Sequence, residues 1–134
     1  MSIVFKETKD FDENDLKNLF LSVDWESAEY PQKLKQAMLG YSFVLSAWNE
    51  NELVGLACVM DDGVMTAYMH YLLVNPKYQN CKIGKQLVDL VKQKYKDFLK
   101  IVIVSYNSSK PFYDKCGFEV AESSIPMYFT KMDN

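Results

Sequence analysis

A chain of 134 residues that is 49% hydrophobic has enough apolar surface for one core, so residues 1–134 read as a single domain. A formal net charge of −3 argues against a nucleic-acid footprint and for a cationic small substrate, and the apolar runs are too short to cross a bilayer. Three cysteines at unrelated spacings, Cys58, Cys81 and Cys116, form neither a disulfide framework nor a metal-ligand pattern, so reduced thiols and no metal are expected, with Cys81 the exposed thiol.

The N-terminus alternates as a strand over 3–8 and lacks the apolar core of a secretory leader, which points to a cytoplasmic protein. Asp12 suits the cap of a helix with Leu16, Leu19, Phe20 and Val23 on its inner face. After the polar, aromatic stretch Asp24-Trp25-Glu26-Ser27-Ala28-Glu29-Tyr30, Pro31 opens a second helix carrying Leu34, Ala37 and Met38 and ending at Gly40. From Tyr41 the period becomes two, with Asn49-Glu50-Asn51-Glu52 as a hairpin turn and a return strand over 53–60. Asp61-Asp62-Gly63 turns again into a long strand, 64–74, on which Tyr68, His70, Leu72 and Val74 share one face.

A short polar loop, Asn75 to Lys82, then joins that strand to a helix over 83–96 that buries Ile83, Leu87, Leu90, Val91 and Tyr95. Lys92, Lys94, Lys96 and Lys100 read as the wet face of this helix and its exit. The run Ile101-Val102-Ile103-Val104 reads as an interior parallel strand, so 64–74, 83–96 and 100–105 make a βαβ unit with a right-handed crossover. A short helix follows, with Pro111 in its first turn and Gly117 past its end, and strands near 118–122 and 125–132 complete the chain. The expected order is β-α-α-β-β-β-α-β-α-β-β, an α/β (α+β) domain with a mixed sheet of about seven strands and about four helices.

The strand-to-helix loop is where chemistry is expected. The first turn of a helix has N–H groups without intrahelical partners and the positive end of the helix dipole, which together suit a pyrophosphate. The segment Val74-Asn75-Pro76-Lys77-Tyr78-Gln79-Asn80-Cys81-Lys82-Ile83-Gly84-Lys85 resembles motif A of the GCN5-related N-acetyltransferases (GNAT), in which an apolar strand ends in V-x-P and runs into (Q/R)-x-x-G-x-(G/A) and a helix. Val74, Pro76, Gln79 and Gly84 match, whereas Lys82 stands where the family has its first glycine. Lys82 either adds a cation beside the phosphates or crowds the turn with its Cβ if the position needs a positive φ. A second stretch, Pro111-Phe112-Tyr113-Asp114-Lys115-Cys116-Gly117-Phe118, looks like the family's P-F-Y-x-K-x-G-F segment.

The resemblance implies direct attack of an amine on acetyl-coenzyme A. It places the coenzyme against Leu72, Leu73, Val74, Gln79, Asn80, Cys81, Lys82, Ile83, Gly84, Lys85, Asn107 and Lys110, with Gly84 admitting the diphosphate to the backbone. Asn107 lies one place later than the family's asparagine, whose register falls on Tyr106. Tyr113 is implied as the acid for the leaving thiolate and the lone histidine, His70, is the candidate base, its ordinary pKa of roughly 6.5 suiting proton acceptance near neutrality. Water could replace His70, leaving it a packing role. The connection from Asp24 to Tyr30 borders the implied acceptor pocket, where its carboxylates and rings would hold an ammonium group.

The expected function is acetyl-coenzyme A-dependent N-acetylation of a small-molecule primary amine. The alternatives are a protein lysine or N-terminal acetyltransferase and a non-catalytic acyl-coenzyme A binding module. Neither nucleic acid nor a membrane is expected as a partner, and a homodimer stays open.

Overall fold

The structure, a computed structural model, describes residues 2–132. Five strands form one sheet in chain order: β1 (Ile3–Glu7), β2 (Phe43–Asn49), β3 (Glu52–Asp61), β4 (Thr66–Val74) and β5 (Lys100–Ile103). The first four are antiparallel neighbours and only the β4–β5 pair is parallel. Chain connectivity dictates this, since tight turns join β2 to β3 and β3 to β4, whereas a parallel pair needs a crossover element.

The α-helices are α1 (Glu13–Ser22), α2 (Pro31–Gly40), α3 (Ile83–Lys94) and α4 (Lys110–Lys115), with 3-10 turns at Glu26–Glu29, Pro76–Cys81 and Asn107–Ser109. Asp12 caps α1 by accepting the Asn14 N–H at 2.8 Å, and Pro31 opens α2. In the β3–β4 turn the Asp62 carboxylate accepts the N–H groups of Val64, Met65 and Thr66 at 2.7 to 3.1 Å.

Helices cover both faces of the sheet, so it carries two cores. On one face Leu16, Leu19, Phe20, Leu34 and Met38 pack against Val44, Leu56, Cys58 and Leu73. On the other, Ile83, Leu87, Val88, Val91 and Tyr95 of α3 and its exit pack against Phe43, Val54, Ala57, Val59, Ala67 and Met69. At Gly55 a Cβ would meet Ile83 Cγ2 at 3.1 Å and Leu87 Cδ1 at 3.2 Å, so the glycine lets α3 settle directly onto β3.

Three expectations change. Leu90 is exposed and Val88 takes its place in the inner stripe of α3, because the inward face follows 83, 87, 88, 91 and 95. Instead of lying inside the sheet, β5 is its edge, with Val102 and Val104 exposed. Near 118–122 and 125–132 no strand forms among the described residues, so the sheet has five strands rather than about seven. Strand-like composition is a preference for a pleated, half-buried surface, and this exposed stretch takes up no pairing with the open edge of β5.

Candidate active site

Strand β4 pairs with β5 only from Thr66 to Met69, against Lys100 to Ile103. Beyond Met69 it continues to Val74 with β3 alone as partner, so the parallel pair splays and opens a gap beside residues 70–74. At that point the β3 register steps from Val59↔Met69 to Cys58↔Tyr71, which leaves His70 as an extra residue in β4. A bulge of this kind reverses the facing of everything after it. Ala67 and Met69 before the bulge face α3, and so do Leu72 and Val74 after it, while Tyr71 and Leu73 face α1 and α2. The expectation that Tyr68, His70, Leu72 and Val74 share a face is therefore overturned: the bulge groups Tyr68 and His70 with Tyr71.

Rings gather around His70 on the α1 and α2 side. Tyr71 stacks on its imidazole with centroids 4.2 Å apart, Tyr68 lies at 5.6 Å and Tyr41 at 5.9 Å. The Tyr41 hydroxyl and His70 Nδ1 are 2.6 Å apart. Desolvation within this cluster holds the His70 pKa below the ordinary histidine value. Burial, followed by the neighbouring Cys58, Tyr71 and Tyr68, pushes the Tyr41 phenol well up. A neutral imidazole beside a protonated phenol is the result at neutral pH.

Trp25 extends this cluster towards the gap. Its ring lies 5.8 Å from Tyr71 and 6.3 Å from Tyr106, which follows β5, so the two sides of the splay are bridged by an aromatic contact. Ser27 and Tyr71 join their hydroxyls at 3.0 Å. Asp24 takes a positive φ of 58° where the chain turns from α1 into Trp25. Glu29 and Tyr30 go elsewhere, lining a shallow cleft of about 410 Å³ with Glu13, Asn14 and Lys17 of α1.

The loop after β4 is braced. Asn75 donates its N–H to the Val54 carbonyl at 2.8 Å and accepts the Lys77 N–H at 3.0 Å through its side chain. The Tyr78 hydroxyl donates to Glu52 at 2.7 Å and accepts from Asn49 at 3.1 Å, tying the loop to the β2–β3 hairpin. Helix α3 then begins without a side-chain cap and without an acidic residue in its first turn. Its first internal bond runs from Gln86 N–H to Lys82 C=O at 3.1 Å, so the N–H groups of Ile83, Gly84 and Lys85 precede the intrahelical ladder.

Lys82 adopts φ 61° and ψ 22°, the left-handed conformation. The place where the motif has glycine is thus one where the backbone favours glycine, and the lysine carries the steric cost. Gly84, in contrast, has an ordinary φ. A Cβ there would meet Phe112 Cζ at 3.3 Å and Val74 Cγ2 at 3.7 Å, so its missing side chain makes room for α4 against α3.

Of the remaining expected coenzyme contacts, Gln79, Asn80, Lys82 and Lys85 are exposed around the α3 N-terminus, Cys81 is half-buried and the Ile83 side chain is fully buried. Lys85 pairs with Asp89 at 2.8 Å and Lys110 with Asp114 at 2.7 Å, each one turn along its own helix. Asn107 is exposed in the turn before α4. On α4 Tyr113 is half-buried on the α3 side, its ring 5.1 Å from Phe112 and 5.8 Å from Phe118. Its hydroxyl makes no hydrogen bond among the described residues, and burial, with Cys116 adding to it, pushes the phenol up to about 12. His70 and Tyr113 thus belong to opposite faces of the sheet.

Sequence reasoning missed the bulge, Tyr41 and the Tyr78 brace. The lone histidine pointed to the right strand, but no local signal revealed that Tyr41, 29 positions earlier, would meet it. Two lysines expected on the wet face of α3 are exposed there and also have partners. Lys92 donates to the Cys116 carbonyl at 2.7 Å, and the Lys94 ammonium lies over the Phe43 ring, 5.4 Å from its centroid.

A splayed strand pair with an uncapped helix N-terminus beside it defines a fold of the acetyltransferase class, and residues 8–128 match the family model described as the acetyltransferase (GNAT) domain. The chain belongs to the GNAT family. It is 31% identical over 86 residues to GCN5-related N-acetyltransferase 3, chloroplastic, of Arabidopsis thaliana, covering 62% of this chain and 36% of that protein. The chain thus spans about a third of the length of that curated relative. In fold it is similar to a GNAT-family acetyltransferase of Streptococcus pneumoniae TIGR4, with TM-score 0.83 at 22% identity over 97% of this chain and 99% of that one. It is also similar in fold to glucosamine-6-phosphate N-acetyltransferase from Arabidopsis thaliana, with TM-score 0.73 at 14% identity over 98% and 99%. Among the described residues no helix is long and apolar enough to cross a membrane, and no group of three His, Cys, Asp or Glu could hold a metal ion.

Proposed function

We propose that the protein transfers the acetyl group of acetyl-coenzyme A to the primary amine of a small molecule by direct attack. The observation that carries the reading is the β4–β5 gap, with an uncapped helix N-terminus on one side of the sheet and a histidine in an aromatic cluster on the other. The donor set fits a diphosphate: three N–H groups ahead of the α3 ladder, Lys82 and Lys85 beside them, and no acidic residue in the first turn to repel it.

Bound there, the cosubstrate supplies an activated acetyl thioester. Backbone groups of Leu72, Leu73 and Val74, beside the gap and beyond the reach of β5, are available to the pantetheine arm and to the developing oxyanion. The amine enters from the Trp25, Tyr41, Tyr71 side, where ring faces attract its cationic form and His70, neutral at neutral pH, accepts the proton that attack releases. Tyr113 faces the departing sulfur. With its pKa at about 12 the phenol stays protonated, and it serves as a hydrogen-bond donor to a thiolate that is less basic than itself.

The test is thiol release from acetyl-coenzyme A with a panel of amines, products read by mass spectrometry, alongside calorimetry with coenzyme A. Acetylated small amines are expected. Coenzyme binding without thiol release would replace the enzyme by a binding module, and acetylation of peptide lysines or N-termini alone would replace the small acceptor.

A further inference from the structure

The cover that α1 and α2 give the sheet stops short of the proposed base. Helix α2 ends at Gly40, and Met60, Tyr68 and Val102 take no part in the core beneath these two helices. The strand register places the three side by side: Met60 of β3 stands opposite Tyr68 of β4, and Tyr68 beside Val102 of β5. All three point away from α3, because their chain neighbours Val59, Met69, Ile101 and Ile103 pack into the core on that side. Met60 is 41% and Val102 36% exposed and Tyr68 is half-buried, so an apolar row crosses three strands in contact with solvent.

This row leads to His70. The Tyr68 and imidazole rings lie 5.6 Å apart and are tilted by 34°, and Tyr71 stacks on the imidazole at 4.2 Å. An amine held at His70 therefore has its remaining atoms over ring and aliphatic surface. A second charge on that body would be drawn onto apolar surface at a cost in free energy, whereas a flat ring gains contact there. Spacing selects the arm as well. An amine two carbons from a ring places its nitrogen roughly 5 Å from the ring centre, three bonds and a ring radius, close to the 5.6 Å between the imidazole and Tyr68 centroids.

Resting on the transfer reading above, we propose that the acceptor is an arylalkylamine whose ring lies on the row of Met60, Tyr68 and Val102 while its amine reaches His70. Tyr68 and Val102 are then specificity-determining residues, touching the acceptor's ring and taking no part in proton transfer. Uncovered apolar surface of this kind marks a site for a ligand or for another protein. Its continuity with the imidazole decides for the ligand, since an amine placed at His70 has its body over the row. Transfer forms the amide C–N bond and breaks the thioester C–S bond, the amine's proton passing to His70 and the thiolate leaving as coenzyme A.

Acetylation by the full chain is compared for phenethylamine, spermidine and glucosamine-6-phosphate, and kcat/KM for phenethylamine is expected to lead at least about tenfold. Val102→Lys, at an exposed position, should raise the KM for phenethylamine at least about tenfold while coenzyme A affinity holds. Binding is read independently of turnover: with coenzyme A present, phenethylamine should shift the ring resonances of the lone histidine in the parent and not in Val102→Lys. That shift, without acetylation of any amine, leaves the ring site standing and overturns the transfer reading. Acetylation of spermidine or glucosamine-6-phosphate, with no shift from phenethylamine, does the reverse. Neither shift nor acetylation overturns both. Phenethylamine binding that Val102→Lys leaves intact removes the acceptor from the row and assigns that surface to another protein.

Discussion

The Tyr41 hydroxyl and His70 Nδ1 share a 2.6 Å hydrogen bond across the aromatic cluster, and the direction of that bond decides what His70 can do. A base needs its lone pair on Nε2, so Nδ1–H must donate to Tyr41. That bond survives protonation and favours the imidazolium; a bond from Tyr41 to Nδ1 is lost on protonation and favours the neutral ring. Tyr41→Phe is therefore expected to lower the His70 pKa further, read from the ring resonances of the lone histidine by NMR titration. A rise would place the proton on Nε2 and refute the base.

His70 also predicts a pH dependence. Its pKa in the folded chain lies below the ordinary value of roughly 6.5, so the unfolded chain takes up the proton first. Stability is then full above about 6.5 and declines on acidification until the folded-state pKa is passed. His70→Gln should flatten that part of the stability profile. As the base, its loss should also reduce turnover by about 10²–10⁴-fold and remove the acidic limb of the rate profile.

Asp62 gives a second loss of stability at lower pH. Backbone N–H groups of Met65, Val64 and Thr66 hold its carboxyl below the usual carboxylate range. Its contribution is present above the unfolded value of about 3.9 and is lost as pH falls through the folded value. Melting of Asp62→Ala against the parent should show a gap at neutral pH that narrows in strong acid.

Lys82→Gly separates backbone cost from charge. Releasing a lysine from φ 61° should stabilise the fold by up to about 1 kcal/mol, the strain relieved being partly offset by the greater freedom of glycine when unfolded. Coenzyme A affinity should fall and lose salt dependence, because a cation beside the phosphates is removed. Chemical denaturation and calorimetry at two salt concentrations measure the two effects separately.

Gly84→Val should cost about 1–3 kcal/mol, because its new Cβ would stand 3.3 Å from the Phe112 ring and push it out of its place. The cost should shrink in a Phe112→Ala background, giving a coupling energy in a double-mutant cycle. Tyr113→Phe, which removes a hydroxyl with no hydrogen bond to lose among the described residues, should leave stability unchanged while lowering turnover; equal single-turnover rates would remove the tyrosine from the reaction.

Much of the central fold is legible in the sequence because it follows local rules. Asp12 and Pro31 mark helix starts, Asp61 to Gly63 mark a turn, and the switch from strand period to helix period at Val74 marks the candidate phosphate loop. Lys82 is anomalous on sequence alone, and the structure supplies the φ that makes it so. What stays hidden depends on pairing between distant segments. The bulge at His70 exists only relative to β3, the Tyr78 brace only relative to Glu52 and Asn49, and the open β5 edge only in the absence of a neighbour. A run of apolar residues at 101–104 reads the same for a central strand as for an edge strand awaiting one.

The extra residue in β4 also sets how the acceptor preference of this protein is to be altered. A substitution library built on simple alternation would vary 68, 70, 72 and 74 together, and half of those positions would reshape the wall that faces α3. Varying Tyr68, His70, Tyr71 and Leu73 as one set confines the change to the side facing α1 and α2. Deleting residue 70 would remove the bulge and restore plain alternation, with Tyr71 still opposite Cys58 and both walls beyond it unchanged, so the extra residue adds an imidazole to the Tyr71 side without disturbing the wall that faces α3.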